Sequence, residues 1–152
     1  MSTSPKERSA PLPDHWWSRA RCTVSLDLLR RHLAHGEARC ALLLGPGADA
    51  LHEQLEPICG EISGPSENSL EEFGLTRSTL PYEAESFDLV CALDVLGDAE
   101  DDEAALSELR RVLTPEGLLL LAVPAHPWLY SDDNFGPRRR YKIGRASCRE
   151  RV

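Results

Sequence analysis

The feature that most constrains the fold is a set of short apolar runs: Cys40-Ala41-Leu42-Leu43-Leu44, Phe87–Leu93 and residues 118–123. Strict polar–apolar alternation is missing from all three. Each therefore predicts a strand covered on both faces, as in parallel sheets sandwiched between helices. Helical periodicity fills the intervals. From Arg21, Cys22, Leu26, Leu29 and Leu33 form one stripe, with Gly36 as its exit. Ala48, Leu51 and Leu55 mark a second helix, which Pro57 stops. Ala105, Leu106, Leu109, Val112 and Leu113 mark another, with Pro115 and Gly117 as its end. A weaker strand is predicted over residues 58–62, where Gly60 and Glu61 interrupt the apolar character. A short helix is predicted over residues 66–73, with Ser66 as its N-cap and Gly74 as its exit. Strand–helix–strand order with right-handed crossovers implies an α/β, doubly wound, mostly parallel sheet.

Composition narrows the function classes. The chain has 152 residues, 17 Lys and Arg against 25 Asp and Glu, and a formal charge of −8. An acidic balance argues against a general nucleic-acid partner, whose phosphates demand cations. No apolar run approaches the ~20 residues needed to span a bilayer, and no secretory leader opens the chain, so no membrane partner is expected. Five cysteines without a Cys-x-x-Cys pair suit reduced thiols, giving the expectation of a cytoplasmic protein without a metal site. The acidic run at residues 98–103 precedes a helix and complements its dipole. Residues 1–14 read as a flexible arm and residues 15–141 as the domain. Residues 142–152 can be reverse-translated into a sequence resembling a short-read sequencing adapter, and are read as an artefactual tail.

In a doubly wound sheet, ligands bind beyond the carboxyl ends of the strands. Three features are expected there: Gly45-Pro46-Gly47, Glu61 and the stretch from Ala92 to Gly97. Glycines let the backbone turn sharply beside a ligand, and a carboxylate accepts hydrogen bonds from ribose hydroxyls. Each alone is an ordinary turn or surface acid; their spacing along one α/β unit gives them weight. The Gly-x-Gly-x-x-Gly dinucleotide fingerprint fails at Ala50, which disfavours a nicotinamide enzyme.

These segments, taken in order, resemble the class I S-adenosylmethionine-dependent methyltransferases, in particular their small-molecule, type 11 branch. The resemblance rests on several stretches. His15-Trp16-Trp17-Ser18-Arg19-Ala20-Arg21 looks like the aromatic and basic opening of many members. Leu42-Leu43-Leu44-Gly45-Pro46-Gly47 stands at the glycine-rich first motif. Leu80-Pro81-Tyr82, Ser86-Phe87-Asp88-Leu89-Val90 and Asp94-Val95-Leu96 follow, and then Glu108-Leu109-Arg110-Arg111-Val112-Leu113 with Pro115-Glu116-Gly117. The family's fold implies a Rossmann-like sheet, here reaching about the fifth of seven strands. Its activity implies methyl transfer from S-adenosylmethionine to a small-molecule substrate.

The same resemblance implies cofactor contacts at Gly45, Pro46, Gly47, Glu61, Ile62, Thr76, Ala92 and Asp94. Catalytic residues and oligomeric state stay unassigned. His126 lies where a base could stand, and Trp128 and Tyr130 could line a substrate mouth, although a surface His and sheet-covering aromatics are the more ordinary uses. Arg138–Arg140 reads as a solvated segment. The chain departs from the family at Leu43, where an acid is usual, at Asp49, where a third glycine is usual, at Thr76 and at Gly97-Asp98. A non-catalytic, methyltransferase-like binding module is therefore the alternative.

Overall fold

The structure is a computed structural model, and it describes residues 16–33, 38–45, 48–64, 79–97, 99 and 101–123. The elements run α1 (Trp16–His32), β1 (Ala38–Leu44), α2 (Ala48–Leu55), β2 (Cys59–Ser63), β3 (Phe87–Leu93), α3 (Asp102–Val112) and β4 (Leu113–Ala122). The expected helix over residues 66–73 lies outside the described residues. The four strands form one parallel sheet in the order β2-β1-β3-β4. From β1 the chain moves outward to β2, then returns to place β3 on the other side of β1. The order therefore reverses between β1 and β3.

Side chains of the central strands alternate between two cores, as a period of two requires. Ala41 and Leu43 of β1, with Leu89, Cys91 and Leu93 of β3, pack beneath α1 and α2 among Leu26, Leu29, Leu51 and Leu55. Leu42 and Leu44, with Val90 and Ala92, face the opposite way onto Ala105, Leu109 and Val112 of α3. Apolar runs without alternation are what such double coverage demands. The Cys91 thiol is pushed up to about 12, mainly by this burial and secondarily by Cys59 nearby.

Two boundaries differ from expectation. Helix α1 begins at Trp16 rather than Arg21. Trp16, its first residue, is 62% exposed. Helix α3 ends at Val112, where Leu113 turns extended (φ −84, ψ 137) and its N–H caps onto Arg110 O. Pro115 and Gly117 thus lie within β4 rather than closing the helix. Phe87 pairs with Leu113, and pairing resumes only at Leu89 with Leu118, so the intervening β4 residues bulge. Pro115, which lacks an N–H, is tolerated in such a bulge.

At its other end, α3 starts on Asp101, whose Oδ1 accepts from the backbone N–H of Glu103 (2.9 Å) and Ala104 (3.1 Å). With Asp102 and Glu103 in the first turn, the acidic run caps a helix.

A buried carboxylate ties α3 to the segment before β3. Glu108 is 8% exposed. Its Oε2 accepts from Leu80 N–H at 2.7 Å, and its Oε1 accepts from Arg111 Nε at 2.6 Å. Arg111 Nη2 donates back to Leu80 O at 3.1 Å. Both backbone groups of Leu80 are thereby held by one ion pair. The Arg111 hydrogen bond is the main reason Glu108 titrates below the usual glutamate range. A carboxylate lowered in the folded state contributes stability above its unfolded value of about 4.3, and that contribution is lost as pH falls through the folded value. Glu108→Gln is expected to cost about 1.5–3 kcal/mol at pH 7, the scale of a hydrogen bond to a charged group. The gap from wild type should shrink below about pH 4. Urea unfolding at both pH values checks it; equal gaps would contradict the linkage.

Candidate functional site

The carboxyl ends of β1 and β3 flank the point where strand order reverses, the position at which open α/β sheets bind ligands. Leu44 pairs with Ala92, so Gly45 and the Leu93–Asp94 turn leave the sheet side by side. Both exits use left-handed backbone: φ is +98 at Gly45 and +59 at Asp94. Aspartate is among the few non-glycine residues that visit this region readily. At Gly45 the reason is contact. A Cβ there would lie 1.9 Å from Leu93 O and 2.9 Å from Val95 Cγ1. Glycine thus lets the end of β1 cross directly over the carbonyl that closes β3.

Asp94 is fixed from two sides. Its backbone N–H donates to Ala122 O at 2.9 Å, joining the ends of β3 and β4. Its Oδ2 forms an ion pair with Arg21 Nη1 from α1. The Asp94 side chain keeps 22% of its surface exposed and that of Arg21 keeps 10%, so the pair stands at the rim of the crevice. Leu93 and Leu96 are buried beside it.

The residues expected to meet a cofactor divide into three groups. Gly45, Ala92 and Asp94 come together at the β1–β3 end. Ala92 is wholly buried and contributes shape rather than a polar group. Pro46, Gly47 and Thr76 lie outside the described residues, as do His126, Trp128, Tyr130 and the arginines at 138–140. Glu61 and Ile62 sit elsewhere than the expected strand end. Strand β2 continues to Ser63, and Glu61 is exposed in its middle, opposite Cys40, while Ile62 pairs with Ala41. The strand persists because Gly60 allows close approach: a Cβ there would lie 2.9 Å from Arg39 O. Ser63 and Gly64 therefore stand at the carboxyl end of β2.

Leu43, at the family's usual acid position, is 2% exposed and packed in the α1–α2 core. Two residues were missed from sequence. Ser63 was hidden by an early strand end. Arg21 was hidden because its partner lies 73 positions away, a separation that no local pattern reports.

A nucleoside cofactor with a cationic amino-acid arm fits one side of this crevice. The β1–β3 side offers a partly exposed carboxylate, an apolar floor and a glycine exit. Across β2, among the described residues, no carboxylate is level with the strand ends. A separate shallow hollow, lined by His52, Glu56, Cys59, Gly60 and Ile62, opens toward the amino end of β2 and is not part of the crevice.

Residues 74–121 match a family described as methyltransferase domain, of type 11. The chain carries a Rossmann-like α/β fold. Two solved structures share it. The YcgJ protein from Bacillus subtilis is 21% identical with a TM-score of 0.52, covering 68% of this chain and 52% of that one. The [4+2]-cyclase SpnF is 21% identical with a TM-score of 0.52, covering 74% of this chain and 47% of that one. The chain thus spans about half the length of each. No curated protein matches it. Among the described residues, no helix is long and apolar enough to cross a membrane.

The geometry at Gly45 makes the crevice sensitive to one methyl group. Gly45→Ala must relieve a 1.9 Å approach to backbone and adopt a left-handed conformation as well. Left-handed strain of about 1–2 kcal/mol and overpacking of about 1–3 kcal/mol together predict a loss of about 2–5 kcal/mol. Equilibrium urea unfolding measures it, and a change under 0.5 kcal/mol would contradict the close approach.

Proposed function

We propose that this chain is the cofactor-binding part of an S-adenosylmethionine-dependent methyltransferase acting on a small-molecule acceptor. The observation that carries the reading is the family match over residues 74–121. That stretch includes β3, α3 and nearly all of β4, and so the β3 exit that lines the crevice. The cyclase of similar fold shows that fold alone does not dictate methyl transfer. The matched methyltransferase sequence is what favours it.

S-adenosylmethionine, when bound, supplies an electrophilic methyl group on a sulfonium. The chain's contribution is to bind and align. Gly45, with Pro46 and Gly47, would carry backbone past the ligand. Asp94 would accept hydrogen bonds from its ammonium or hydroxyl groups. Ala92 would shape the apolar wall and Thr76 would meet the adenine end, whereas Ile62 lines the hollow outside the crevice. Glu61 takes part only if the ligand reaches down β2 to the level of Cys40. Alignment of this kind accounts for much of the rate gain in a displacement that needs little covalent help.

One observation favours the alternative of a binding module without methyl transfer. Leu43 replaces the family's acid with a side chain locked in the core, and losing a charged hydrogen bond costs about 1.5–3 kcal/mol.

Calorimetric titration of the 152-residue chain with S-adenosylmethionine decides between the readings. Binding tighter than millimolar, weakened in Gly47→Val with helical content intact, supports the cofactor site. Millimolar or absent binding supports the module. In the same assay, a tenfold weaker Kd in Glu61→Ala keeps Glu61 in the site, and an unchanged Kd removes it.

A further inference from the structure

Among the described residues, the large apolar side chains that stay exposed all lie on α1: Trp16 at 62%, Val24 at 60% and Leu28 at 42%. With the exposed Ala20 they recur every four residues and form one ridge along the helix. The opposite face is buried in the core through Cys22, Ser25, Leu26 and Leu29, so this helix is apolar on two sides. An outward apolar ridge of this kind marks a contact surface. α1 is also where a second copy meets the least repulsion. The chain carries a formal charge of −8, whereas α1 holds Arg19, Arg21, Arg30 and Arg31 against Asp27 alone.

We propose that the α1 ridge is an interface with a second copy of this chain, the two helices packing antiparallel about a two-fold axis near Val24. Closed pairs of this kind use the same patch on both copies, and this ridge is self-complementary in that orientation. Val24 meets its own counterpart, and the small Ala20 meets the large Leu28 of the second copy. Trp16 falls opposite the last turn of the second copy, within reach of the Arg31 guanidinium for a cation–π contact. Arg19 falls within one turn of the second copy's Asp27. Asp27 is 57% exposed even while paired with Arg31 of its own helix, so its carboxylate can accept a second cation. A parallel arrangement would instead set the two basic last turns, Arg30-Arg31-His32, side by side. Ridges at four-residue spacing interdigitate at a crossing angle of about −50°. One contact along a helix about 25 Å long covers less than the ~800 Å² per partner of a standard interface, so the dimer is weak and concentration-dependent. The inference is independent of the cofactor reading.

Sedimentation equilibrium of the 152-residue chain from about 1 to 500 µM, the range suited to a weak interface, tests it. A monomer–dimer equilibrium is expected. Val24→Glu sets two carboxylates together on the axis. It is expected to raise the dimer dissociation constant by about tenfold or more, with the circular dichroism spectrum unchanged. Arg19→Glu and Asp27→Arg each turn two symmetric attractions into repulsions and are expected to raise it about fivefold, the scale of exposed ion pairs. The double variant Arg19→Glu/Asp27→Arg restores both attractions and is expected to return to within about twofold of wild type. Mere loss of helix stability would show no such recovery. A chain that stays monomeric at the highest concentration overturns the inference and leaves the ridge to another segment or partner. A dimer that Val24→Glu leaves unchanged overturns it as well, as does one in which the charge swap brings no recovery.

Discussion

The structure depends on how closely β1 and β3 lie at their carboxyl ends. They are the two central strands, both covered by helices, and the crevice lies where the chain leaves them for opposite faces of the sheet. Gly45 crosses the Leu93 carbonyl with no room for a Cβ, while Asp94 turns left-handed in the opposite exit. Leucines fill both faces of β1, so the pairing is held by apolar burial along its length and by one missing methyl at its tip. The sheet beneath that end is built on buried leucines.

Charge is arranged around that sheet in a few paired positions. Glu108 and Arg111 grip the backbone of Leu80 on the α3 side. Arg21 and Asp94 meet on the α1 side, and Asp88 Oδ2 accepts from Arg39 N–H (3.2 Å) and Cys40 N–H (3.3 Å) at the start of β1. At Leu80 and Arg21 a carboxylate meets donors that would otherwise be costly to bury. The net acidity of the chain therefore coexists with carboxylates that are held by specific donors.

Much of this was legible in the sequence, for identifiable reasons. The runs forming β1 and β3 are apolar without alternation, and only double coverage explains that. The spacing of Leu51 and Leu55, with Pro57 beyond them, marks α2 unambiguously. What escaped were features decided by neighbours distant along the chain. Pro115 and Gly117 read as a helix stop, but the partner strand determines that they form a bulge. Glu61 read as a strand end, yet the register against β1 carries the strand two residues further. The start of α1 escaped because its first residue, Trp16, is exposed.

The order of the strands also governs how the chain reaches its fold. β3 and β4 are joined through α3, and their pairing requires only a short excursion of chain. β1, in contrast, pairs with β3 through Ala41 and Leu89, residues separated by nearly a third of the sequence. On the ribosome, the leucines of β1 emerge first and wait longest for the strand that buries their second face. Long-range parallel pairing of this kind slows folding and prolongs the exposure of apolar surface. The segment that anchors the finished sheet is thus the one most in need of protection during synthesis, and α1 and α2, both local to it, can cover one of its faces before β3 arrives.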